Sequence, residues 1–193
     1  MIYFIRHGLT ESNKKKIYAG WSSEPLSPDG LKAVQNAGGA LKECGIKKIY
    51  TSPLPRAFQT AEILNKSIQA RIIKEENLIE MQLGPWEGMS ETEIETRYPE
   101  EWKTWNTNPS TLKIPGRETL AQVRHRALKA VKIMTAAKKA APILAVTHVA
   151  VIRVLMIHFN RLDMDDYRGI DIPNATLFEL DDELESAGMK RSS

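Results

Sequence analysis

The chain has 193 residues, with 27 Lys and Arg against 24 Asp and Glu, a formal net charge of +3 and a pI near 8.9. That basic balance is too mild and too scattered for a nucleic-acid surface, and a 42% hydrophobic, 26% charged composition is that of a globular domain able to bury its own core. The single cysteine, Cys44, excludes an intramolecular disulfide and a cysteine-ligated zinc, no apolar run is long enough to cross a bilayer, and the N-terminus lacks the regions of a secretory signal, so a cytoplasmic location is expected.

Strands alternate with helices, which predicts a three-layer α/β/α sandwich around a mostly parallel sheet. A first strand covers Ile2 to Arg6. Ser27 caps a helix with Pro28 in its first turn, and Leu31, Val34, Ala37, Gly38 and Leu41 form its apolar face before Gly45 stops it. A strand at Lys48 to Thr51 leads to a helix from about Pro55 to Asn65, and Ala70 to Lys74 reads as a weaker strand. Between Glu80 and Gly116 the pattern is irregular, with Trp86, Trp102 and Trp105 and helical pieces near Glu91 to Trp105. This reads as a small helical insertion, about 82–116, over one end of the sheet. A long helix from Thr119 to about Ala137 carries the stripe Leu120, Val123, Ala127, Val131 and Met134. Pro142 to Thr147 is a buried strand, Val149 to Phe159 a nearly all-apolar helix, and Ala175 to Leu180 the last strand. One domain over 1–181 is expected, followed by a polar, frayed tail at 182–193.

Reactive residues fall just after strand ends, where open α/β sheets hold their ligands. Arg6-His7-Gly8 ends the first strand, Ser52 to Arg56 follows the second, and Thr147-His148 ends the strand before the apolar helix. If those strands are parallel neighbours, Arg6, His7, Arg56 and His148 converge on one small volume. Two guanidiniums and two imidazoles there call for an anion, and a dianionic phosphoryl group matches arginine's fork. Lys14-Lys15-Lys16 reads as a solvated loop, or as an attractor for a small anionic substrate. Each of these residues also has a plain structural reading, as a strand-end ion pair or a hydrogen-bonded core histidine.

The run Arg6-His7-Gly8-Leu9-Thr10-Glu11-Ser12-Asn13 resembles the signature of the histidine phosphatase superfamily, the phosphoglycerate mutase-like family. Four further stretches agree in order: Pro25-Leu26-Ser27 with Gly30-Leu31 and Gln35; Ser52-Pro53-Leu54 through Arg56-Ala57 to Gln59-Thr60-Ala61; Leu78-Ile79-Glu80 with Gly84-Pro85-Trp86-Glu87-Gly88; and Val146-Thr147-His148 with Ile152-Arg153. The resemblance covers roughly residues 1 to 180. It implies His7 as nucleophile, Arg6, Arg56 and His148 around the nonbridging oxygens, Asn13 as a further donor and Glu80 as general acid, with Glu87 a neighbouring alternative. No metal and no cofactor is implied.

Tyr18-Ala19-Gly20, Glu80-Met81 and Pro115-Gly116-Arg117-Glu118-Thr119-Leu120 look most like α-ribazole phosphatases and related enzymes, and the short interval from Glu80 to His148 favours a phosphatase over a mutase. The implied function is a metal-independent phosphomonoesterase acting on a small phosphorylated metabolite through a phosphohistidine. α-Ribazole 5′-phosphate, phosphoserine, sugar phosphates and mutase-type isomerisation are the alternatives. Neither nucleic acid nor membrane is an expected partner, and monomer and homodimer are both compatible. Val149-Ala150 departs from the glycine common after the second histidine. Glu11, His125 and His158 read as bystanders; the tryptophans read as packing, with one of them a candidate to line the substrate mouth, and Arg117 as an exposed structural arginine, the alternative being a contact to the leaving group.

Overall fold

A computed structural model describes residues 1–137, 141–181 and 188–192, apart from the side chain of Ala40. In chain order the elements are β1 (Ile2–Arg6), α1 (Glu11–Lys14), α2 (Pro28–Leu41), β2 (Lys48–Thr51), α3 (Pro55–Ile68), β3 (Arg71–Lys74), α4 (Glu91–Arg97), α5 (Pro99–Thr107), α6 (Leu120–Ala137), β4 (Ile143–Thr147), α7 (Val149–Phe159), β5 (Leu177–Leu180) and β6 (Met189–Arg191), joined by short 3₁₀ turns.

The six strands form one sheet in the order β3-β2-β4-β1-β5-β6. Strands β3, β2, β4 and β1 run parallel, while β5 pairs antiparallel with β1 and β6 antiparallel with β5. Alternation along the strands sorts the core into two layers. Ile2, Phe4, Tyr50, Ile143 and Ala145 face the layer of α6 and α7. Ile5, Ile49, Leu144 and Val146 face α2 and α3. The predicted three-layer sandwich is the observed one.

Helix starts follow their caps. The Ser27 hydroxyl accepts from Gly30 N at 3.1 Å to open α2. Reciprocal capping boxes open α1 at Thr10 and Asn13 and α4 at Ser90 and Glu93. Helix α7 is apolar nearly all round because Ala150, Val151, Ile152, Val154, Leu155 and Ile157 are all buried.

Four sequence expectations are corrected. Leu31 is 38% exposed, and the buried stripe of α2 is Gly30, Val34, Gly38 and Leu41 at helical spacing. A β-carbon on Gly30 would lie 2.1 Å from Leu9 O, so glycine lets the loop after β1 pack directly onto this helix. Helix α3 runs on to Ile68, where Gln69 in the left-handed region (φ 57°) ends it. Strand β5 begins at Leu177 because Ala175 has φ 54°, outside β space. The frayed tail is not what the far C-terminus shows: Met189–Arg191 pairs with Phe178–Leu180 as an edge strand, and Met189 is buried. The remainder of that predicted tail, 182–187 and 193, lies outside the described residues.

Candidate active site

Strand order carries the site. Because β4 lies between β2 and β1, the residues following these three strands become neighbours at one edge of the sheet. The ladders continue one residue past the strands, with His7 N donating to Thr147 O and Ser52 N to Val146 O, both at 3.0 Å. The His7 and His148 rings consequently sit 5.0 Å apart, centroid to centroid.

The hydrogen bonds of His7 fix its tautomer. Nδ1 lies 2.7 Å from Gly8 O, which is only an acceptor, so Nδ1 carries the proton. Arg56 Nε, only a donor, points at His7 Nε2 from 3.3 Å, so Nε2 holds the lone pair. Burial, then Arg56 and Arg6, hold this imidazole's pKa well below its usual value despite the Gly8 carbonyl. His7 is therefore a neutral imidazole at neutral pH, with its basic nitrogen turned toward the arginine.

Arg56 opens α3 at a position where Pro55 costs no hydrogen bond. Its Nη1 and Nη2 donate to Ser22 O at 3.0 Å and Gly20 O at 2.6 Å, which orients the guanidinium on three sides. Arg6 is anchored through Nη1 to Ile172 O at 2.6 Å. Burial lowers its pKa to about 10, which leaves it cationic at neutral pH. His148, fully buried, has Nε2 2.7 Å from Ser52 Oγ, and its pKa is also held well below the usual value, by burial, Arg56 and His7 in that order.

The Glu80 loop is stapled from three directions. Trp21 Nε1 donates to Glu80 O at 2.7 Å, and Arg126 of α6 donates to the carbonyls of Asn77, Ile79 and Glu80 while paired with Glu118 at 2.8 Å. Thr147 Oγ1 donates to Leu78 O at 2.7 Å, which ties the loop to β4. The Glu80 carboxylate accepts from Met81 N through Oε1. Glu87 is engaged elsewhere, accepting from Trp21 N at 2.6 Å.

These parts enclose a cavity of about 350 Å³. Arg6, His7, Asn13, Arg56 and Glu80 line it, as the sequence suggested, whereas His148 is not among the lining residues and has a buried Nδ1 that makes no hydrogen bond among the described residues. Lys16, Arg153 and Arg168 add three cations and Glu91 one more carboxylate, so the lining is net cationic. Val149 and Ala150 do line the cavity, in keeping with added bulk at that turn.

Two readings, of Lys16 and Arg117, need amendment. Lys16 is not merely part of a solvated loop, since it reaches the cavity, while Lys14 pairs with Glu11 and Asp29 at the surface. Arg117 is buried, not exposed: its guanidinium lies 5.1 Å from the Trp86 ring centre and 4.3 Å from that of Trp105. Trp105 lines the cavity as well as packing edge-on to Trp86. Glu11, His125 and His158 are exposed bystanders as expected. Sequence reasoning assigned no role to the Ser52 hydroxyl, to Thr60, which accepts from Gly8 N at 3.0 Å and donates to Arg56 O at 2.7 Å, or to Asn174. For Thr60 the signal was present, one turn after Arg56 on the same helix.

The chain resembles proteins of known kind along its whole length. It is 29% identical over 170 residues to the bifunctional protein Rv2228c of Mycobacterium tuberculosis, a match covering 88% of this chain but spanning only 45% of that relative's length. It is 28% identical to a 2,3-bisphosphoglycerate-dependent phosphoglycerate mutase of Cytophaga hutchinsonii, over 96% of this chain and 90% of the relative. The solved structure of Bacillus stearothermophilus YhfR superposes with a TM-score of 0.88 at 28% identity, over 99% of this chain and 94% of that one. A family model matches residues 2–191, and the chain belongs to the histidine phosphatase superfamily (branch 1).

Proposed function

We propose that the protein is a metal-independent phosphomonoesterase that hydrolyses a small phosphorylated metabolite through a phosphohistidine on His7. The observation that carries this reading is the His7 tautomer: a neutral imidazole at the lining of a cationic cavity, with its Nε2 lone pair turned to Arg56.

The phosphoryl dianion enters between Arg6, Arg56 and Asn13, which take its nonbridging oxygens, and His148 offers Nδ1, the ring nitrogen that Ser52 leaves free. His7 Nε2 forms the bond to phosphorus as the ester P–O bond breaks, and a protonated Glu80 gives its proton to the leaving oxygen. Glu80 then takes a proton from water, whose oxygen attacks phosphorus. The N–P bond breaks and inorganic phosphate leaves. Positioning and charge stabilisation supply most of such a barrier reduction. The net cationic lining of the cavity suits a small phosphorylated substrate, with α-ribazole 5′-phosphate, phosphoserine and sugar phosphates as candidates.

A mutase-type phosphotransfer is the second reading, favoured by the nearly full-length likeness to the Cytophaga hutchinsonii mutase. In that case phosphohistidine passes its phosphoryl group to a second hydroxyl in competition with water.

Hydrolysis of p-nitrophenyl phosphate in excess chelator tests the proposal. Phosphate release that His7→Ala abolishes is expected. Activity that EDTA removes and magnesium restores rules the scheme out, and transfer to an added 3-phosphoglycerate faster than hydrolysis selects the mutase.

A further inference from the structure

The segment between α7 and β5 holds the site from outside both histidine motifs. Ile170 O accepts from Arg153 Nε at 2.8 Å and Ile172 O from Arg6 Nη1 at 2.6 Å, so two cavity arginines hang on one strap of backbone. The next polar side chain on that strap is Asn174. Its Nδ2 meets His7 O at 3.0 Å, Gly8 O at 3.3 Å and Asn13 Oδ1 at 3.0 Å.

Backbone groups settle which end of each amide is which. Thr10 N, only a donor, meets one atom of the Asn13 amide at 3.2 Å, so that atom is oxygen. The carbonyls of His7 and Gly8 are only acceptors, so the Asn174 atom that meets them is nitrogen. That nitrogen also binds Asn13 Oδ1. Both contacts of the Asn13 amide thus fall on its oxygen, and its NH₂ group is left to the cavity that Asn13 lines.

We propose that Asn174 is a positioning residue that locks the Asn13 amide with its NH₂ toward the phosphoryl group, and that it braces the Gly8 carbonyl that keeps the proton on His7 Nδ1. The inference rests on the phosphomonoesterase reading of the same cavity. Asn174 acts through Asn13: with Asn174 gone, one of two anchors of the Asn13 oxygen is lost, and only the 3.2 Å bond from Thr10 N still opposes inversion of the amide. An inverted amide presents oxygen to a phosphoryl oxygen, so a donor becomes a repulsive acceptor.

A double-mutant cycle separates this role from a merely structural one. The wild type, Asn13→Ala, Asn174→Ala and the double variant are compared in kcat/KM for p-nitrophenyl phosphate and in competitive inhibition by inorganic phosphate. Each single substitution should lower kcat/KM roughly 10- to 100-fold, the loss of one charge-assisted hydrogen bond. The double variant should be less than about threefold worse than the worse single one, since both act on one donor. Asn174→Asp keeps the size of the side chain and removes its donor, so it should reproduce the loss if the alanine variant folds poorly. Losses that multiply in the double variant, or an Asn174→Asp enzyme within twofold of wild type, overturn the inference and leave the phosphatase reading standing. A folded wild type that releases no phosphate overturns both.

Discussion

Thr60 ties the loop of His7, the proposed nucleophile, to the helix of Arg56, and its removal should be felt in both stability and rate. The side chain is fully buried, accepts from Gly8 N at 3.0 Å and donates to Arg56 O at 2.7 Å. Thr60→Val conserves shape, so no cavity forms, and the Arg56 carbonyl keeps its partner within α3. The buried Gly8 N–H is left unpaired, at a cost of roughly 1–3 kcal/mol. Taking about 2 kcal/mol, the melting temperature of a domain this size should fall by about 4–8 °C, read by thermal denaturation. Gly8 regains a partner only if the loop moves, and its carbonyl is the acceptor of the His7 Nδ1 proton. Misplacing a nucleophile by about 1 Å costs on the order of a hundredfold, so kcat should drop roughly 10- to 100-fold. Thr60→Ser keeps the hydroxyl and should keep kcat while losing a buried methyl's worth of stability, about 1 kcal/mol. A Thr60→Val protein with wild-type kcat/KM would refute the coupling.

Arg56→Ala removes the donor facing the nucleophile and should cost roughly a thousandfold in kcat, as transition-state arginines do elsewhere; a loss below tenfold takes Arg56 out of the reacting centre. The histidines give a pH signature. Both have folded pKa values held well below 6.5, so on acidification the unfolded chain binds these protons first. Stability is fully present above the unfolded pKa near 6.5 and declines as pH falls below it. Melting temperatures across pH 7.5 to 5 should therefore decrease, with a shallower slope in His7→Gln; a flat profile in the wild type contradicts the buried neutral pair.

The sheet was legible because its strands are short apolar runs, and the paired motifs were legible because each follows a strand. Convergence of Arg6, His7 and Arg56 needed only the assumption that β1, β2 and β4 are adjacent, which the strand order satisfies. Illegible features depended on contacts between distant segments. Arg117 reads as a surface cation in a Pro-Gly-Arg-Glu turn, and only the folding of Trp86 and Trp105 around it buries it. Asn174 lies in a stretch without periodicity, and its contacts to His7, Gly8 and Asn13 cross more than 160 positions. Met189–Arg191 is too short and polar to read as a strand alone, yet it satisfies the free edge of β5.

The resting contact between Arg56 Nε and His7 Nε2 has a consequence for how the site engages its substrate. It occupies the lone pair that attacks phosphorus on the proposed phosphohistidine route, so on that route it has to break before transfer begins. At 3.3 Å to a neutral acceptor it is long and weak, whereas a phosphoryl oxygen offers the same N–H a shorter, charge-assisted bond. Arg56 keeps its other two anchors on Ser22 O and Gly20 O during the exchange, so the guanidinium need shift rather than swing. On the proposed route the arriving dianion thus frees His7 by the act of binding. Neutral anionless solvent leaves His7 capped, and a lysine at position 56, with a single ammonium in place of the fork, would have to abandon the backbone anchors to do the same.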